Sequence, residues 1–272
     1  MRQNIKYLII PDVHGRSFWQ RPVEECLSGS DCKVVFLGDY LDPYPNEWED
    51  ADTSPALARV KCKTVALDRF KQILEIKRQN PGRVTLLLGN HDCGYAIGSD
   101  ICDCRTDHIN KKEIESLFQD NRELFQIAEE CHLGGRHFIF SHAGILKGWV
   151  DQIYDIRDIQ SSPVKYNPVN YLNNAWLTED FRVLNFLGDY DLFRGWGGYK
   201  YGSPVWSDIR SWQSVTEEET FGFNICGHTQ VDAPVVLDQI ADLDCRRAFI
   251  LDEKGILRDY LSGEEVKKTE LK

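Results

Sequence analysis

The feature that most constrains this fold is a recurring pattern, in which a short apolar run is followed at once by a loop carrying Asp, His or Asn. Residues 34–37 are the clearest case, because Gly38-Asp39-Tyr40-Leu41-Asp42 closes the run Val-Val-Phe-Leu. Such a run predicts a buried strand, and the glycine after it indicates a tight turn. Asp39 and Asp42 would then lie at the carboxyl end of a strand, where open α/β sheets usually bind ligands. One Asp-rich loop is common, so the interpretation depends on the other strands.

Four more apolar runs end in loops with complementary groups. These loops are Asp12-Val13-His14-Gly15 after residues 7–10, Gly89-Asn90-His91-Asp92 after 84–88, Ser141-His142-Ala143-Gly144 after 138–140, and Gly227-His228-Thr229 after 223–226. Only seven histidines occur in the chain, and four of them lie in these loops. A single buried histidine usually belongs to the core, but four at strand ends favour a site. His108, His132 and His137 lack this context, and we expect them to be structural or surface residues.

The residue types in these loops indicate metal binding. Imidazole nitrogens and carboxylate oxygens suit Mn²⁺, Fe or Zn²⁺ better than Ca²⁺. Alternation along an extended chain puts Asp12 and His14 on one side, so both can face the same ion. The candidate ligands are too many for one tetrahedral ion, and we therefore expect two divalent metal ions sharing a bridging carboxylate. Such pairs activate water and neutralise charge during displacement at phosphorus.

Charge and length limit the alternatives. The chain has 272 residues and a formal net charge of −11, which argues against a general nucleic-acid binder, since such proteins gain affinity from Lys and Arg. Small anionic substrates remain compatible, because bound divalent cations reverse the local sign. No apolar stretch approaches the eighteen or so residues that span a bilayer, and the N-terminus does not resemble a signal peptide. We expect a single cytoplasmic domain over residues 1–272, without a membrane partner.

The cysteine content is also consistent with a cytoplasmic protein. Their count of nine is odd and shows no framework spacing, which predicts reduced thiols. Cys93, Cys102 and Cys104 cluster enough to suggest a small zinc site as an alternative, but no second pair with standard spacing follows.

Periodicity predicts the elements around the site. Helices are expected over 17–30, 55–79, 110–130 and 169–186, and a terminal hairpin over 248–251 and 256–261. In the helix over 55–79, Val60, Leu67, Phe70 and Leu74 lie on one face and predict core packing. The loops over 43–54 and 193–204 have no period; each is either a flap or cleft wall beside the site or an ordinary surface segment.

Taken in order, the five loops resemble the signature of calcineurin-like metallophosphoesterases. Within that superfamily the chain is most similar to the branch of serine/threonine phosphoprotein phosphatases and symmetrical dinucleoside-tetraphosphate hydrolases. The block Trp206-Ser207-Asp208 and a His228 without a second His two residues later carry this closer likeness. The resemblance implies a four-layer α/β/β/α sandwich with two mixed β-sheets. It also implies hydrolysis by direct attack of a metal-bridging hydroxide, without a covalent enzyme intermediate.

The resemblance further implies a role for each loop residue. By position, Asp12 and His14 would bind the first metal, Asp39 would bridge both, and Asn90, His142 and His228 would bind the second. His91 would donate a proton to the leaving-group oxygen, and Asp42 would orient that imidazole. The expected function is hydrolysis of phosphomonoesters or nucleotide polyphosphates, with a phosphorylated small molecule, a nucleotide or a phosphoprotein as substrate.

The chain departs from this branch where phosphate is bound. Pro43 and Leu88 stand where the branch typically has arginines, and Asp92 replaces the usual Glu. Arginine binds phosphate oxygens bidentately, which leucine and proline cannot do. Arg210 is the remaining candidate for a phosphate contact. A phosphodiesterase is therefore the nearest alternative, and a catalytically silent scaffold is a more distant one, since the predicted ligands are all retained.

Overall fold

A computed structural model describes residues 6–48, 54–98, 105–154, 167–184 and 202–269. Within these ranges the chain forms eleven strands and six α-helices. The strands are β1 (Lys6–Ile10), β2 (Cys32–Phe36), β3 (Val84–Leu87), β4 (Phe125–Gln126), β5 (Ala128–Leu133), β6 (Arg136–Ser141), β7 (Phe223–Cys226), β8 (Val235–Val236), β9 (Ile240–Asp242), β10 (Phe249–Leu251) and β11 (Leu257–Asp259). The helices are α1 (Gln20–Ser28), α2 (Pro55–Gln79), α3 (Asn90–Ile97), α4 (Lys111–Gln119), α5 (Lys147–Ile153) and α6 (Pro168–Leu177).

The strands form two mixed sheets. The first has the order β11-β10-β1-β2-β3-β4, with β1 to β4 parallel and β10 antiparallel to β1. The second has the order β5-β6-β7-β9-β8, in which β6, β7 and β9 are parallel. Parallel neighbours end at the same edge of a sheet, so the loops after β1, β2 and β3 gather together, as do those after β6 and β7.

Alternation along the strands builds two hydrophobic clusters. Tyr7 and Ile9 of β1 point toward the second sheet, and Tyr7 stacks on Phe140 of β6 with ring centroids 5.5 Å apart. Leu8 and Ile10 point the other way and join the cluster that includes the helices. Strands buried on both faces explain the continuous apolar runs in the sequence. The layering agrees with the expected sandwich of two sheets with helices outside.

The expected helix over 110–130 is partly wrong. Helix α4 ends at Gln119, a 3₁₀ turn follows over Arg122–Leu124, and the chain then enters β4 and β5. Residues near the end of the predicted helix, such as Phe125, are buried, but by strand pairing: Phe125 pairs with Leu86 of β3. Non-local pairing overrides the helical period here, because a short apolar run satisfies both patterns.

Two smaller expectations also fail. Val60 is 50% exposed, so the buried face of α2 runs through Ala58, Cys62 and Ala66 instead. Cys26 and Cys32 form a disulfide, contrary to the expectation of reduced thiols throughout. The possible zinc cluster lies largely outside the described residues, which include only Cys93 of its three cysteines, as a buried free thiol.

The predicted helix over 169–186 is also too long, because helix α6 ends at Leu177 and a 3₁₀ turn follows over Phe181–Leu184. The loops without a period are only partly described. Of the loop over 43–54, residues 45–48 form a 3₁₀ turn, and 49–53 lie outside the described residues. Only residues 202–204 of the loop over 193–204 are described. None of the described helices is both long and apolar enough to cross a membrane.

Candidate active site

The structure brings together eight of the nine sequence-predicted site residues at the ends of β1, β2, β3, β6 and β7. The ninth, Arg210, forms an ion pair with Asp208. Backbone contacts join the loops: His14 N donates to Asp39 O at 2.7 Å, and Gly227 N donates to His142 O at 2.9 Å. The two sheets meet where His228 N donates to both carboxylate oxygens of Asp12 at 3.1 Å. His228 is half-buried, and the other seven loop residues are buried.

Asp39 lies at the centre of this group. Its Oδ2 is 3.4 Å from His14 Nε2 and 3.6 Å from His142 Nε2, so one carboxylate oxygen faces imidazoles from both sheets. Its other oxygen accepts a hydrogen bond from His91 N at 2.9 Å. Asp39 belongs to two groups of potential ligands whose atoms all lie within 4.8 Å of one another, namely His14–Asp39–His91 and Asp12–Asp39–His142.

The tautomers of two histidines suit metal binding. His14 Nδ1 lies 2.8 Å from Leu41 O, and His142 Nδ1 lies 2.9 Å from Leu37 O. A carbonyl can only accept, so each Nδ1 carries the proton and each Nε2 presents a lone pair to the site. This is the arrangement in which a second group orients a metal-binding imidazole.

Two further polar atoms lie close to His142 Nε2 on the second-sheet side. Asn90 Oδ1 is 2.9 Å from His142 Nε2 and 3.0 Å from His228 Nδ1, and the two ring nitrogens are 3.2 Å apart. A lone-pair nitrogen and an amide oxygen at these distances repel unless a cation or a proton lies between them. The nitrogen and oxygen donors therefore fit a divalent ion of the Mn²⁺, Fe or Zn²⁺ type.

Electrostatics favours the ligand forms of His14 and Asp39 and works against the ionised form of Asp12. Burial lowers the pKa of His14 well below its usual value, which keeps the imidazole neutral. Burial alone would raise the pKa of Asp39, but the surrounding imidazoles, His142 foremost, outweigh it and the net pKa is lowered. Burial raises the pKa of Asp12 to about 6, with His142 opposing and the Asp39 charge adding to the rise. Neutral imidazole and ionised carboxylate are the forms that bind a metal ion.

His91 is held by a carboxylate on the first-sheet side. Its Nδ1 lies 2.9 Å from Asp42 Oδ2, and Tyr95 donates its hydroxyl to Asp42 Oδ1 at 2.6 Å. The Tyr95 hydroxyl in turn accepts from Asp107 N at 2.7 Å. An imidazole fixed by a buried carboxylate is the usual arrangement for proton transfer. Because His91 also falls in one group of potential ligands, an experiment must separate the two roles.

Asp92 braces the loops beneath the site, a function that the sequence did not reveal. Its Oδ2 accepts from Asp39 N at 2.7 Å and Gly89 N at 2.9 Å, and its Oδ1 accepts from Tyr40 N at 3.0 Å. The packing below is close: a Cβ on Gly89 would lie 2.1 Å from Asp39 Oδ1. Asp92 thus fixes the backbone that presents the central carboxylate.

Arg105 and Tyr44 form the rim next to His91 and were also missed. The Arg105 guanidinium carbon lies 3.8 Å from the centroid of the Tyr44 ring, and Arg105 Nη2 lies 3.2 Å from His91 Nε2. The Tyr44 ring also meets His14 edge-on at 5.2 Å between centroids. The loop over 43–54 supplies Tyr44, but nothing in the sequence around Arg105 singled it out.

A buried carboxyl on the second sheet was missed as well. Asp244 is 4% exposed, and its Oδ1 has no hydrogen-bond partner among the described residues. Burial, and then the charge of Asp12, raises the pKa of Asp244 to about 8. Nothing in the sequence around Asp244 indicated that it would be buried near the site, because it follows β9, a strand that was not predicted.

Arg210, the one predicted phosphate contact, forms a bidentate ion pair. Its Nε donates to Asp208 Oδ1 at 2.8 Å, and its Nη2 donates to Oδ2 at 2.5 Å. The loop is tied to the site through Ile209 N, which donates to Thr229 Oγ1 at 3.1 Å. Arg210 would have to share its guanidinium with Asp208 to bind a phosphate, so its role stays a prediction.

Several solved structures are similar to this chain at low identity. A protein serine/threonine phosphatase of Saccharomyces cerevisiae is 11% identical, with a TM-score of 0.47, and the match covers 100% of this chain and 83% of that one. A protein described as a diadenosine tetraphosphatase is 11% identical, with a TM-score of 0.37 and coverage of 97% and 93%. An archaeal phosphodiesterase is 12% identical, with a TM-score of 0.33 and coverage of 96% and 100%. Similarities at these scores support no conclusion about activity.

The comparison with protein families is decisive. No curated protein matches the chain. The family model described as calcineurin-like phosphoesterase matches residues 5–232, which include all five of the loops predicted to bind metal. This chain belongs to the calcineurin-like phosphoesterase family and is a metal-dependent hydrolase of phosphoric esters.

Proposed function

We propose that this protein is a dinuclear phosphoesterase that hydrolyses phosphomonoesters or nucleotide polyphosphates. The observation that carries the proposal is the position of Asp39, whose Oδ2 lies 3.4 Å from His14 Nε2 and 3.6 Å from His142 Nε2. A carboxylate between two imidazoles from different sheets suits a bridging ligand. Two bound divalent ions, Mn²⁺, Fe or Zn²⁺, would supply an activated water and would neutralise the charge on the phosphate.

The chain's own residues divide into two sets around Asp39. Asp12 and His14 would hold the first ion, and Asn90, His142 and His228 would hold the second. The carbonyls of Leu41 and Leu37 orient His14 and His142, since each accepts from Nδ1. The substrate would be a phosphorylated small molecule, a nucleotide or a phosphoprotein.

His91 would protonate the leaving group. Its Nδ1 bonds to Asp42 at 2.9 Å, which leaves Nε2 directed to the site. Asp42 accepts a second hydrogen bond from Tyr95, and this fixes the carboxylate that orients the imidazole. Proton donation of this kind contributes about 10²–10⁴-fold to rate, most strongly for poor leaving groups.

A phosphodiesterase is the second candidate, favoured by Pro43 and Leu88 in place of phosphate-binding arginines. A diester lacks the terminal charge that such arginines neutralise, so it would tolerate their loss. A silent scaffold is a third possibility, but the converging ligands and the His91–Asp42 pair support catalysis.

Hydrolysis of an aryl phosphomonoester and an aryl phosphodiester, with and without Mn²⁺, tests the proposal. We expect Mn²⁺-dependent hydrolysis of the monoester and two metal ions per chain by elemental analysis. Preference for the diester would favour the second candidate. Two bound ions without turnover of either substrate would favour the scaffold.

A further inference from the structure

We propose that Arg105 binds the substrate phosphate beside the leaving group and sets the preference for phosphomonoesters and terminal phosphates. It would do so in place of the arginines that are absent at Pro43 and Leu88. The inference rests on the proposed function, because it concerns the same site.

The backbone and two neighbours hold Arg105 in one orientation. Its φ is 70°, a left-handed conformation that is unfavourable for a non-glycine residue and tends to occur at functional sites. Its Nε donates to Asp42 O at 2.9 Å, and Asp42 also orients His91. The guanidinium lies over the Tyr44 ring at 3.8 Å, which fixes its plane.

This orientation directs the end of the guanidinium at the reaction centre. Nη2 lies 3.2 Å from His91 Nε2, the atom proposed to face the leaving group. One oxygen can lie within hydrogen-bond distance of two atoms this far apart, so a phosphate oxygen entering the site could contact Arg105 and His91 together. A guanidinium presents its donors in a planar fork that matches two phosphate oxygens.

Comparison with Arg16 supports the assignment. Both arginines lie over Tyr44, Arg16 at 5.1 Å from the ring centroid. Arg16, however, is bound bidentately by Glu47, with Nε and Nη2 distances of 2.8 and 2.9 Å. The contacts of Arg105 with described residues are instead a carbonyl, an imidazole and a ring. A carboxylate competes with phosphate for a guanidinium, whereas these partners carry no negative charge and only position it.

The same geometry predicts selectivity. A phosphomonoester carries two negative charges and three non-bridging oxygens, so one oxygen can take the Arg105 contact while the others face the metals. A diester replaces one of these oxygens with a second ester group and carries one charge. Arg105 therefore interacts more strongly with the monoester, because a hydrogen bond between charged groups is stronger when the phosphate carries more charge.

The test compares Arg105→Ala and Arg105→Lys with wild type in the Mn²⁺-loaded protein. We expect Arg105→Ala to lower kcat/KM for the aryl monoester about 100-fold and for the aryl diester less than about 5-fold. Affinity for inorganic phosphate, measured by calorimetry, should fall about 30-fold, with metal content unchanged. Arg105→Lys should recover only part of this loss, because lysine lacks the planar fork.

Arg136→Ala is the matched control and should leave these values unchanged. Arg136 is exposed and also lies over aromatic rings, at 5.1 Å from the Phe138 centroid and 4.8 Å from the Phe223 centroid. It lies at the opposite end of β6 from the site.

Substitution of Tyr44 checks the positioning step. Tyr44→Phe keeps the ring and should stay near wild type, while Tyr44→Leu should lower monoester kcat/KM roughly 5-fold. Combined with Arg105→Ala, Tyr44→Leu should add little, because both act through one guanidinium.

The outcomes separate the two proposals. Equal losses on monoester and diester, or unchanged phosphate affinity in Arg105→Ala, would overturn the role of Arg105 even if wild type is an active phosphatase. Arg105-dependent phosphate binding without turnover of either ester would support Arg105 and overturn the proposed function. A metal-loaded wild type that neither binds phosphate nor hydrolyses either ester would overturn both.

Discussion

The two halves of the candidate metal centre are built by different means. On the first-sheet side, the loops after β1 and β2 place His14, Asp39 and Asp42 in left-handed conformations, with φ of 42°, 53° and 55°. On the second-sheet side, His142 follows β6 without such strain, and His228 is the one non-glycine residue of the two described loops with a positive φ, of 75°. The first half is thus shaped by its backbone, whereas the second is shaped by side chains meeting across the sheets.

The two halves also differ in the contacts that hold their residues in place when no metal is bound. Asp92 ties together the backbone of the first half through three N–H groups. The second half consists of the imidazoles of His142 and His228 and the amide of Asn90, whose polar atoms lie 2.9–3.2 Å apart. A bound cation would stabilise this close grouping. We infer that the first half is preorganised and that the second depends more on the metal.

The largest effect should come from Asp39→Asn, which removes the carboxylate that we propose both halves share as a ligand. An amide tolerates the left-handed backbone at this position, so the fold should persist. We expect loss of metal ions and at least about a 10³-fold fall in kcat/KM, measured by elemental analysis and ester hydrolysis. Asp68→Asn, on the exposed face of α2, is the control. Full metal content in Asp39→Asn would contradict a bridging role.

His91→Asn should affect the first half alone. If His91 is the proton donor, metal content stays at wild-type level and turnover of poor leaving groups falls about 10²-fold. Esters with activated leaving groups should react almost normally, because they need no proton. Loss of one ion would instead make His91 a ligand, as its place beside His14 and Asp39 allows.

The two halves were equally predictable from the sequence because both lie at strand ends. The apolar run and the polar loop after it are local patterns, so Asp12, Asp39, Asn90, His142 and His228 could be identified as candidates. Neither the strain nor the bracing by Asp92 could be predicted, since φ depends on contacts between loops.

What the sequence could not reveal depends on distant contacts. Arg105 is held at the rim of the site by Asp42, which is 63 residues away in the chain. Asp244 lies near Asp12 only because β9 joins the second sheet beside β7. The stretch 125–130 was predicted as the end of a helix because its apolar residues satisfied a helical period, but pairing of β4 with β3 decides its conformation. In each case tertiary structure determines the outcome, and no pattern within the segment records it.

Asp92→Asn tests whether the first half is preorganised. The amide group must turn an N–H toward at least one of the three backbone donors that Asp92 now accepts from. A buried donor without an acceptor costs about 1–3 kcal/mol. We expect the free energy of unfolding of the metal-free protein to fall by this amount in urea, and Asp120→Asn at the end of α4 to leave it unchanged. An unchanged midpoint in Asp92→Asn would show that the loops need no such brace.

The smallest effect concerns the pH dependence of stability, which we attribute to the buried carboxyl of Asp244. Folding raises the pKa of Asp244 to about 8, with burial as the main cause and the Asp12 charge as the next. The folded protein therefore keeps a proton that the unfolded chain has released, and this contribution to stability is lost as pH rises toward 8.

For the metal-free protein, the free energy of unfolding should fall between pH 6 and pH 8. Asp244→Asn should reduce that fall by on the order of 1–2 kcal/mol, measured by urea unfolding in the presence of a chelator. The pKa of Asp12, about 6, contributes mainly below this window, so it does not mask the effect. Asp232→Asn, at an exposed position, is the control. An unaltered slope in Asp244→Asn would mean that this carboxyl is already ionised in the folded protein at pH 6.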